Sequence, residues 1–296
     1  MVPTRLLGKT GQKISILGFG TAAAGTRLKL KEAVLLYEEA LNLGVTYFDT
    51  APEFAGYGNA QKQLGYLLKE RRKEIFLVTK CWEPRGEDAL KLLQQNLHDL
   101  QTDYADLVFV HSIGSDKMDP KIVFGRNGCY HAMMKAKAHG LTRFVGFSGH
   151  NRPGRFVEAI KNFKADVLLN AVNFVDHHTY NFEQDVWTLA RKKNMGLIAM
   201  KVFGGQDKLE SRKLSHSMML SNSDLSPRNL EMAFRYALSQ PGVASAAIGM
   251  ATRAELHQNL KWVNNLKPLT SREMLQLRER GRSLAKNWGA HLGAAV

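Results

Sequence analysis

Eight short apolar runs alternate with amphipathic segments along the chain, and this alternation limits the fold more than any other feature of the sequence. The runs are rich in β-branched, aromatic and other apolar residues, which is typical of buried parallel strands. They cover residues 14–20, 45–51, 74–80, 105–111, 144–149, 167–173, 196–202 and 244–250. Eight strands alternating with helices predict a closed (β/α)8 barrel, because a doubly wound sheet of five or six strands leaves two units without a place.

Amphipathic spacing predicts helices between these strands and one after the last of them. The predicted helices cover residues 31–43, 59–70, 86–100, 154–163, 182–193, 227–239 and 271–285. The chain opens with a hairpin turned at Gly8–Gly11, which runs into the first strand. We therefore expect an α/β chain folded as a (β/α)8 TIM barrel with an N-terminal β-hairpin cap and a C-terminal helix, in one domain spanning residues 1–296.

The net charge of +14 raises the question of a nucleic-acid partner. The basic residues are scattered over helices, and no Lys/Arg strip interleaved with aromatic residues is present, so we expect no nucleic-acid binding. A positive field also suits an anionic dinucleotide or an acidic substrate. No apolar run approaches the roughly 20 residues of a membrane helix. Cys81 and Cys129 form no disulfide or metal-ligand pattern, so we expect two reduced thiols in a cytoplasmic protein.

Polar side chains stand where three successive strands end. Asp49 lies near the end of the second run, Lys80 ends the third and His111 ends the fourth, while Tyr57 follows Asp49 in a glycine-rich loop. In a parallel barrel the chemistry is carried by the C-terminal strand ends and the loops that follow them. Two long loops, 112–128 and 203–226, also leave from this face, and we expect them to shape a substrate pocket.

These four residues suit general acid catalysis of carbonyl reduction. Lys80 would stabilise the Tyr57 phenolate and lower its pKa, Asp49 would hold Lys80 charged and in place, and His111 would orient a carbonyl oxygen. Each residue also has a structural interpretation: Asp49 and Lys80 as an ion pair, His111 as a hydrogen-bonded framework residue, and Tyr57 as a turn aromatic. Their occurrence together on consecutive strands favours the catalytic interpretation.

The same residues lie in motifs that resemble the aldo-keto reductase family across nearly the whole chain. The matching segments are LGFGT (17–21), FDTA (48–51), YGNAQKQLG (57–65), VTK (78–80), DYADLVFVH (103–111), LTRFVGFSGH (141–150) and AAIGMATRAELHQNL (246–260). The resemblance implies NAD(P)H-dependent reduction of a small aldehyde or ketone without a metal. It also implies that Asp49, Tyr57, Lys80 and His111 are the catalytic residues. The family's tyrosine commonly stands five residues after the aspartate, where this chain has Phe54, and a three-residue gap assigns Tyr57 instead.

The resemblance also implies a set of cofactor-binding residues. These are Gly20, Thr21, Asp49, Ser148, Asn170, Met200, Lys201, Gly249, Met250, Ala251, Arg253, Gln258 and Asn259. Free N–H groups where the last strand leads into a helix would bind a phosphate of the cofactor. Asn170 has an equally good interpretation as a buried amide satisfied by the backbone. Glu255 stands where NADP-preferring members often have arginine, and its carboxylate would repel a 2′-phosphate, whereas Arg253 would attract it. The family's common use of NADP and the positive net charge of the chain favour NADPH, with NADH as the alternative.

Two other functions fit parts of the sequence. A non-catalytic barrel that binds the dinucleotide, as a redox sensor or regulatory subunit, would explain Phe54, Gly149 and Met200 where the family has other residues. An isomerase or aldolase barrel using Lys80 as a base or Schiff-base amine would act without nicotinamide. The sequence indicates neither the substrate, for which loops on one fold vary freely, nor the oligomeric state.

Overall fold

The structure is a computed structural model in which residues 2–205 and 227–296 are described. An antiparallel hairpin comes first, formed by β1 (Thr4–Leu6) and β2 (Lys13–Ser15). Eight parallel strands follow, and the last pairs with the first to close a barrel in sequence order. These are Leu17–Gly20 (β3), Tyr47–Asp49 (β4), Phe76–Cys81 (β5), Ala105–Val110 (β6), Thr142–Gly149 (β7), Val167–Ala171 (β8), Gly196–Met200 (β9) and Val243–Gly249 (β10). The predicted (β/α)8 barrel with an N-terminal hairpin is confirmed.

Helices connect the barrel strands, and a last helix follows them. The α-helices of the described residues are Ala22–Arg27, Leu30–Asn42, Ala60–Arg71, Gly86–Asp99, Pro120–Val123, Cys129–Ala138, Pro153–Asn162, Val186–Lys192, Pro227–Leu238, Arg253–Asn264 and Ser271–Trp288. The Ser271–Trp288 helix confirms the predicted C-terminal helix. Within residues 2–205 and 227–296, no helix is both long and apolar enough to cross a bilayer.

Side chains from alternate strand positions fill the barrel interior. The buried inner cluster consists of Leu7, Ile14, Tyr47, Phe76, Val78, Leu107, Phe109, Val167, Leu169, Ile198, Met200 and Ala244. Glycines on neighbouring strands leave room for its rings: a Cβ on Gly18 would lie 2.5 Å from Tyr47 Cδ1, and one on Gly146 would lie 2.6 Å from Phe109 Cε1. Small residues therefore face large ones, as in other narrow barrels.

The hairpin closes one end of the barrel. Leu7 and Ile14 belong to the inner cluster, and the backbone N–H of Lys9 donates to the Asn194 carbonyl at 2.6 Å. Asn194 lies just before β9, so the hairpin covers the end where the strands begin. The opposite end, where the strands finish, is the end at which such barrels carry their active sites.

The first predicted strand, 14–20, is divided in two in the structure. Ser15 Oγ accepts hydrogen bonds from the backbone N–H groups of Thr46 and Tyr47, at 2.9 and 3.2 Å, and donates to the Leu17 carbonyl at 2.7 Å. These bonds tie Ser15 to the start of β4, so the hairpin ends there and a separate barrel strand begins at Leu17.

Other boundaries differ because tertiary contacts decide them. The helices Ala22–Arg27 and Pro120–Val123 were not predicted, and the second of these lies within the predicted loop 112–128. The predicted helix 182–193 begins only at Val186. Most of the second predicted loop, residues 206–226, lies outside the described residues.

The C-terminal tail, residues 289–296, returns to the end of the barrel where the strands finish. Tyr180 Oη donates to the Gly293 carbonyl at 2.9 Å, and the Arg152 N–H donates to the Ala294 carbonyl at 3.1 Å. His291 Nε2 lies 2.9 Å from Asp176 Oδ1, and both side chains are nearly buried. The tail is thus held against the loops that follow β7 and β8.

Candidate active site

Strand alternation brings three of the predicted catalytic side chains to one place. Asp49 follows Tyr47, Lys80 follows Val78, and His111 continues the row of Phe109, each two residues after a side chain of the inner cluster. Because side chains two apart on a strand point to the same face, all three point toward the barrel axis at the end where the strands finish. Asp49 is the last residue of β4, Lys80 the penultimate residue of β5, and His111 directly follows β6.

Lys80 joins Asp49 and Tyr57 into one hydrogen-bonded group. Its ammonium lies 2.5 Å from Asp49 Oδ1 and 3.0 Å from Tyr57 Oη, and it also donates to the Thr50 carbonyl at 2.9 Å. Tyr57 Oη donates to Asp49 Oδ1 at 3.1 Å. The Lys80 and Asp49 side chains are 1% and 5% exposed. A buried ion pair with a phenol against it is the arrangement predicted from the sequence.

The loop that carries Tyr57 is fixed by close backbone packing. Gly56 and Gly58 have φ angles of +85° and +53°, which glycine adopts readily. The Asn59 N–H donates to the Gly25 carbonyl at 3.0 Å. A Cβ on Gly25 would lie 2.2 Å from the Tyr57 carbonyl oxygen. The unpredicted Ala22–Arg27 helix therefore supports this loop.

Phe54 lies at the rim of the site. Its ring is 53% exposed and stacks on Trp82, with the ring centroids 6.3 Å apart. The phenol that contacts Asp49 and Lys80 belongs to Tyr57. The geometry thus favours the three-residue gap over the Phe54 alignment.

The surroundings shift the pKa values of the group, in one case against expectation. Burial and the negative charge of Asp49 hold the pKa of Tyr57 well above its usual value, whereas Lys80 was expected to lower it. Lys80 makes its shortest contact with Asp49, which compensates its charge. Burial lowers the pKa of Lys80, and Asp49 opposes that effect. Tyr57 is therefore a protonated phenol at neutral pH, as a proton donor has to be.

His111 is held as a neutral imidazole. Its Nδ1 lies 2.9 Å from Ser148 Oγ, and its Nε2 lies 3.4 Å from Ser112 Oγ. Burial lowers the pKa of His111 well below its usual value, and the charge of Lys80 adds to this effect. A neutral ring keeps one N–H to donate and does not compete with Tyr57 as the proton source.

A cavity of about 240 Å³ lies over this group. It brings together seven of the predicted site residues: Gly20, Asp49, Tyr57, His111, Met200, Lys201 and Gly249. It is also lined by residues that the sequence analysis did not single out, among them Ala22, Ala23, Thr26, His150 and Ala247. His150 follows Ser148 by two residues in GFSGH, and this place just after a strand end was the available signal.

The other predicted cofactor residues lie outside this cavity. Thr21, Ser148, Asn170, Met250 and Asn259 are buried, and Gln258 is exposed. Asn170 is on the opposite strand face from Val167 and Leu169, and its Oδ1 accepts from Trp187 Nε1 at 3.0 Å. Its Nδ2 donates to the Gly149 carbonyl at 3.4 Å, so the amide is satisfied within the protein.

The start of the Arg253–Asn264 helix differs from the expectation of free N–H groups. The Glu255 carboxylate accepts from the N–H groups of Ala251 and Thr252 at 2.7 and 3.0 Å. Arg253 Nε lies 2.6 Å from Glu39 Oε2. Ala251 and Arg253 line a surface groove beside Glu39, so a cofactor phosphate here has to displace carboxylate contacts.

The cavity nevertheless fits a nicotinamide nucleotide. Asp49 Oδ2 is buried and has no hydrogen-bond partner in the described part of the chain, so a hydroxyl of the cofactor would satisfy it. Gly20 and Gly249 face each other across β3 and β10 and leave their backbones open to close approach. The Met200 thioether offers a polarizable surface for a flat ring.

Comparison with known proteins identifies the family of the chain. Residues 16–224 match the sequence model of the Aldo/keto reductase family. L-galactose dehydrogenase of Arabidopsis thaliana is 25% identical over 295 residues, covering 90% of each protein.

Solved structures show the same fold. An aldo-keto reductase of Bacillus halodurans in its holo form superimposes with a TM-score of 0.76 and 23% identity, covering 94% of this chain and 96% of that one. An aldo-keto reductase of Klebsiella pneumoniae in complex with NADPH gives a TM-score of 0.72 at 20% identity, covering 95% of each chain. The family model spans well over half of the sequence, and the chain therefore belongs to the aldo/keto reductase family of NAD(P)H-dependent oxidoreductases.

Proposed function

We propose that the protein reduces a small aldehyde or ketone to an alcohol, with Tyr57 as the general acid. The observation that carries this proposal is the contact of Tyr57 Oη with both Lys80 Nζ, at 3.0 Å, and Asp49 Oδ1, at 3.1 Å. Asp49, Tyr57 and His111 line one cavity, and Lys80 contacts Asp49 and Tyr57. When bound, the reduced nicotinamide supplies the hydride that the protein lacks.

Each residue has a distinct role in this proposal. The neutral His111 donates a hydrogen bond to the carbonyl oxygen and turns it toward Tyr57. Tyr57 gives its proton to that oxygen as the carbon is reduced. Lys80 sits beside the phenolate that remains and stabilises it, and Asp49 holds Lys80 in place.

NADPH is the proposed cofactor, and NADH is the second choice. The Klebsiella reductase was crystallised with NADPH, and the chain carries a net charge of +14, which attracts an anionic dinucleotide. Gly20, Met200, Lys201 and Gly249 line the cavity where the nicotinamide half would lie.

The test is NADPH consumption with a panel of aldehydes and ketones, comparing Tyr57→Phe with Phe54→Leu as the matched ring variant. Tyr57→Phe is expected to lower kcat by about 10²- to 10⁴-fold, the usual worth of a general acid. NADPH binding, followed by protein fluorescence, is expected to persist in it. Phe54→Leu is expected to keep kcat, since this ring lies at the rim.

Two results would contradict the proposal. If Tyr57→Phe turns over at the wild-type rate, Tyr57 is not the acid. If the wild type binds NADPH but reduces no carbonyl compound, the non-catalytic interpretation replaces this one.

A further inference from the structure

We propose that Lys201 and His150 form an anion-binding subsite in the active-site cavity, and that the substrate is a short oxo acid. Its carboxylate would lie one or two carbons from the carbonyl group. This inference rests on the proposed carbonyl reduction and names its substrate class. Three features support it: the placement of Lys201, the charge balance of the cavity, and the position of His150 beside His111.

Lys201 is turned into the cavity by an unusual backbone. It directly follows β9 and has a φ angle of +55°, in the left-handed region. Its side chain runs alongside Gly205, where an added Cβ would lie 3.2 Å from Lys201 Cδ and 3.8 Å from Cε. The residue lines the same cavity as Tyr57 and His111.

The Lys201 ammonium has no carboxylate within ion-pair distance among residues 2–205 and 227–296. Asp176 is the acid whose charge acts on it. Both oxygens of Asp176 are engaged, Oδ1 by His291 Nε2 at 2.9 Å and Oδ2 by Asn173 Nδ2 at 2.6 Å. Burial lowers the pKa of Lys201 because the buried ammonium loses contact with water. An anion in the cavity would stabilise this ammonium.

Among the described residues, the other charged or titratable groups that line the cavity do not compensate the charge of Lys201. Lys80 is paired with Asp49. Burial, assisted by neighbouring cations, lowers the pKa of His111 well below its usual value and that of His150 to about 3, so both rings are neutral at physiological pH. The described lining residues thus carry one net positive charge, which matches a monoanion such as a carboxylate better than a phosphate dianion.

His150 lies where a substituent next to the carbonyl would reach. Its ring centroid is 6.1 Å from that of His111, in an edge-to-face arrangement. Neither ring nitrogen of His150 has a hydrogen-bond partner in the described ranges, and the ring faces the cavity. With His111 on the carbonyl oxygen, the spacing lets His150 donate to an oxygen on a nearby carbon.

The reaction balances with groups already assigned. A hydride from NADPH forms the new C–H bond at the carbonyl carbon, and the Tyr57 proton forms the O–H bond. The products are the hydroxy acid and NADP⁺, and solvent returns a proton to Tyr57. The carboxylate is unchanged and serves only for binding.

The experiment compares each oxo acid with its methyl ester: pyruvate with methyl pyruvate, and acetoacetate with methyl acetoacetate. The readout is the acid-to-ester ratio of kcat/KM, with NADPH affinity measured separately. Lys201→Met is expected to lower the ratio by about 10- to 100-fold, the usual worth of a hydrogen bond to a charged group. Lys201→Arg is expected to restore most of it, and His150→Phe to lower it by a smaller factor.

Lys117→Met is the matched control. Lys117 lies over the Phe54 and Trp82 rings at 5.2 and 5.1 Å, outside the cavity lining. It removes one positive charge near the mouth, so an unchanged ratio excludes a general field effect. Thermal unfolding midpoints of all variants identify any that fail to fold.

The subsite is overturned by an acid-to-ester ratio that Lys201→Met leaves unchanged. If NADPH binding is weakened at that constant ratio, the result assigns Lys201 to the cofactor phosphates instead.

If no carbonyl compound turns over, oxamate binding tests the subsite independently of the reaction. The Trp82 ring lies 5.9 Å from that of His111, so tryptophan fluorescence serves as the probe. Binding that Lys201→Met abolishes supports the subsite, and equal binding by both proteins overturns it.

Discussion

Replacing Lys80 with methionine removes an ammonium but keeps a side chain of similar length inside the barrel. The Asp49 carboxylate, whose side chain is only 5% exposed, is then left without its cation. The Thr50 carbonyl loses the hydrogen bond that Lys80 Nζ donates to it at 2.9 Å. Tyr57 Oη still donates to Asp49 Oδ1, but a neutral hydrogen bond does not balance a buried charge. Breaking one side of a buried ion pair costs about 3–5 kcal/mol, and we expect Lys80→Met to lose that much unfolding free energy.

The double variant Asp49→Asn/Lys80→Met tests the cause of this loss. It buries no charge, and an amide in place of the carboxylate keeps the shape of the site. We expect it to be within about 1–2 kcal/mol of the wild type, so the two substitutions couple by at least about 2 kcal/mol.

Urea unfolding of the wild type, both single variants and the double variant provides the measurement. Tryptophan fluorescence and far-ultraviolet circular dichroism have to give coincident transitions before free energies are extracted. The reasoning is refuted if Lys80→Met lies within about 1 kcal/mol of the wild type. It is also refuted if the double variant is no more stable than Lys80→Met.

Three further predictions concern acid stability, loop support and the thiols. The pKa of His150 is about 3 in the folded protein, below its unfolded value. The wild type should therefore lose unfolding free energy as the pH falls below about 6.5, because the unfolded imidazole binds a proton that the folded one does not. In urea unfolding at pH 5, His150→Asn should lose about 1–2 kcal/mol less than the wild type relative to neutral pH. An equal loss of unfolding free energy in both proteins would contradict this. Gly25→Ala should displace the Tyr57 loop and lower kcat by about 10- to 100-fold in steady-state assays, with wild-type kcat as the opposing result. Cys81 and Cys129 are buried, and burial raises the pKa of both thiols, so a thiol reagent should react only after unfolding.

The barrel could be predicted because parallel strands buried on both faces are continuous apolar runs. The same runs contain the alternation that aligns Asp49, Lys80 and His111 with the inner cluster. That alternation also marks Asn170 as facing outward, since Val167 and Leu169 face inward, and this favours its interpretation as a buried amide satisfied within the protein.

Residues beyond the strand ends were harder to predict. His150 follows β7, where no periodicity fixes the direction of a side chain. The Ala22–Arg27 helix has only six residues. It contains Gly25, which lowers helix propensity but is needed because the Tyr57 loop lies too close for a Cβ. In contrast, Thr252 and Glu255 form a capping box that is visible in the sequence, and its competition with phosphate could have been anticipated.

The pKa of Tyr57 could not be predicted from its neighbours alone. Lys80 lies 3.0 Å from the phenol, as the proposed chemistry needs. However, its charge is shared with Asp49, and the degree of burial decides the direction of the shift. A sequence identifies which charges meet but not how far each is from water.

The C-terminal tail has a consequence for the two loops that it contacts. Its carbonyl groups accept hydrogen bonds from the backbone N–H of Arg152 and from Tyr180 Oη, so the tail joins the loop after β7 to the loop after β8. A movement of one of these loops is therefore transmitted to the other through the tail. A variant that lacks residues 289–296 should keep the barrel strands and let the two loops move independently.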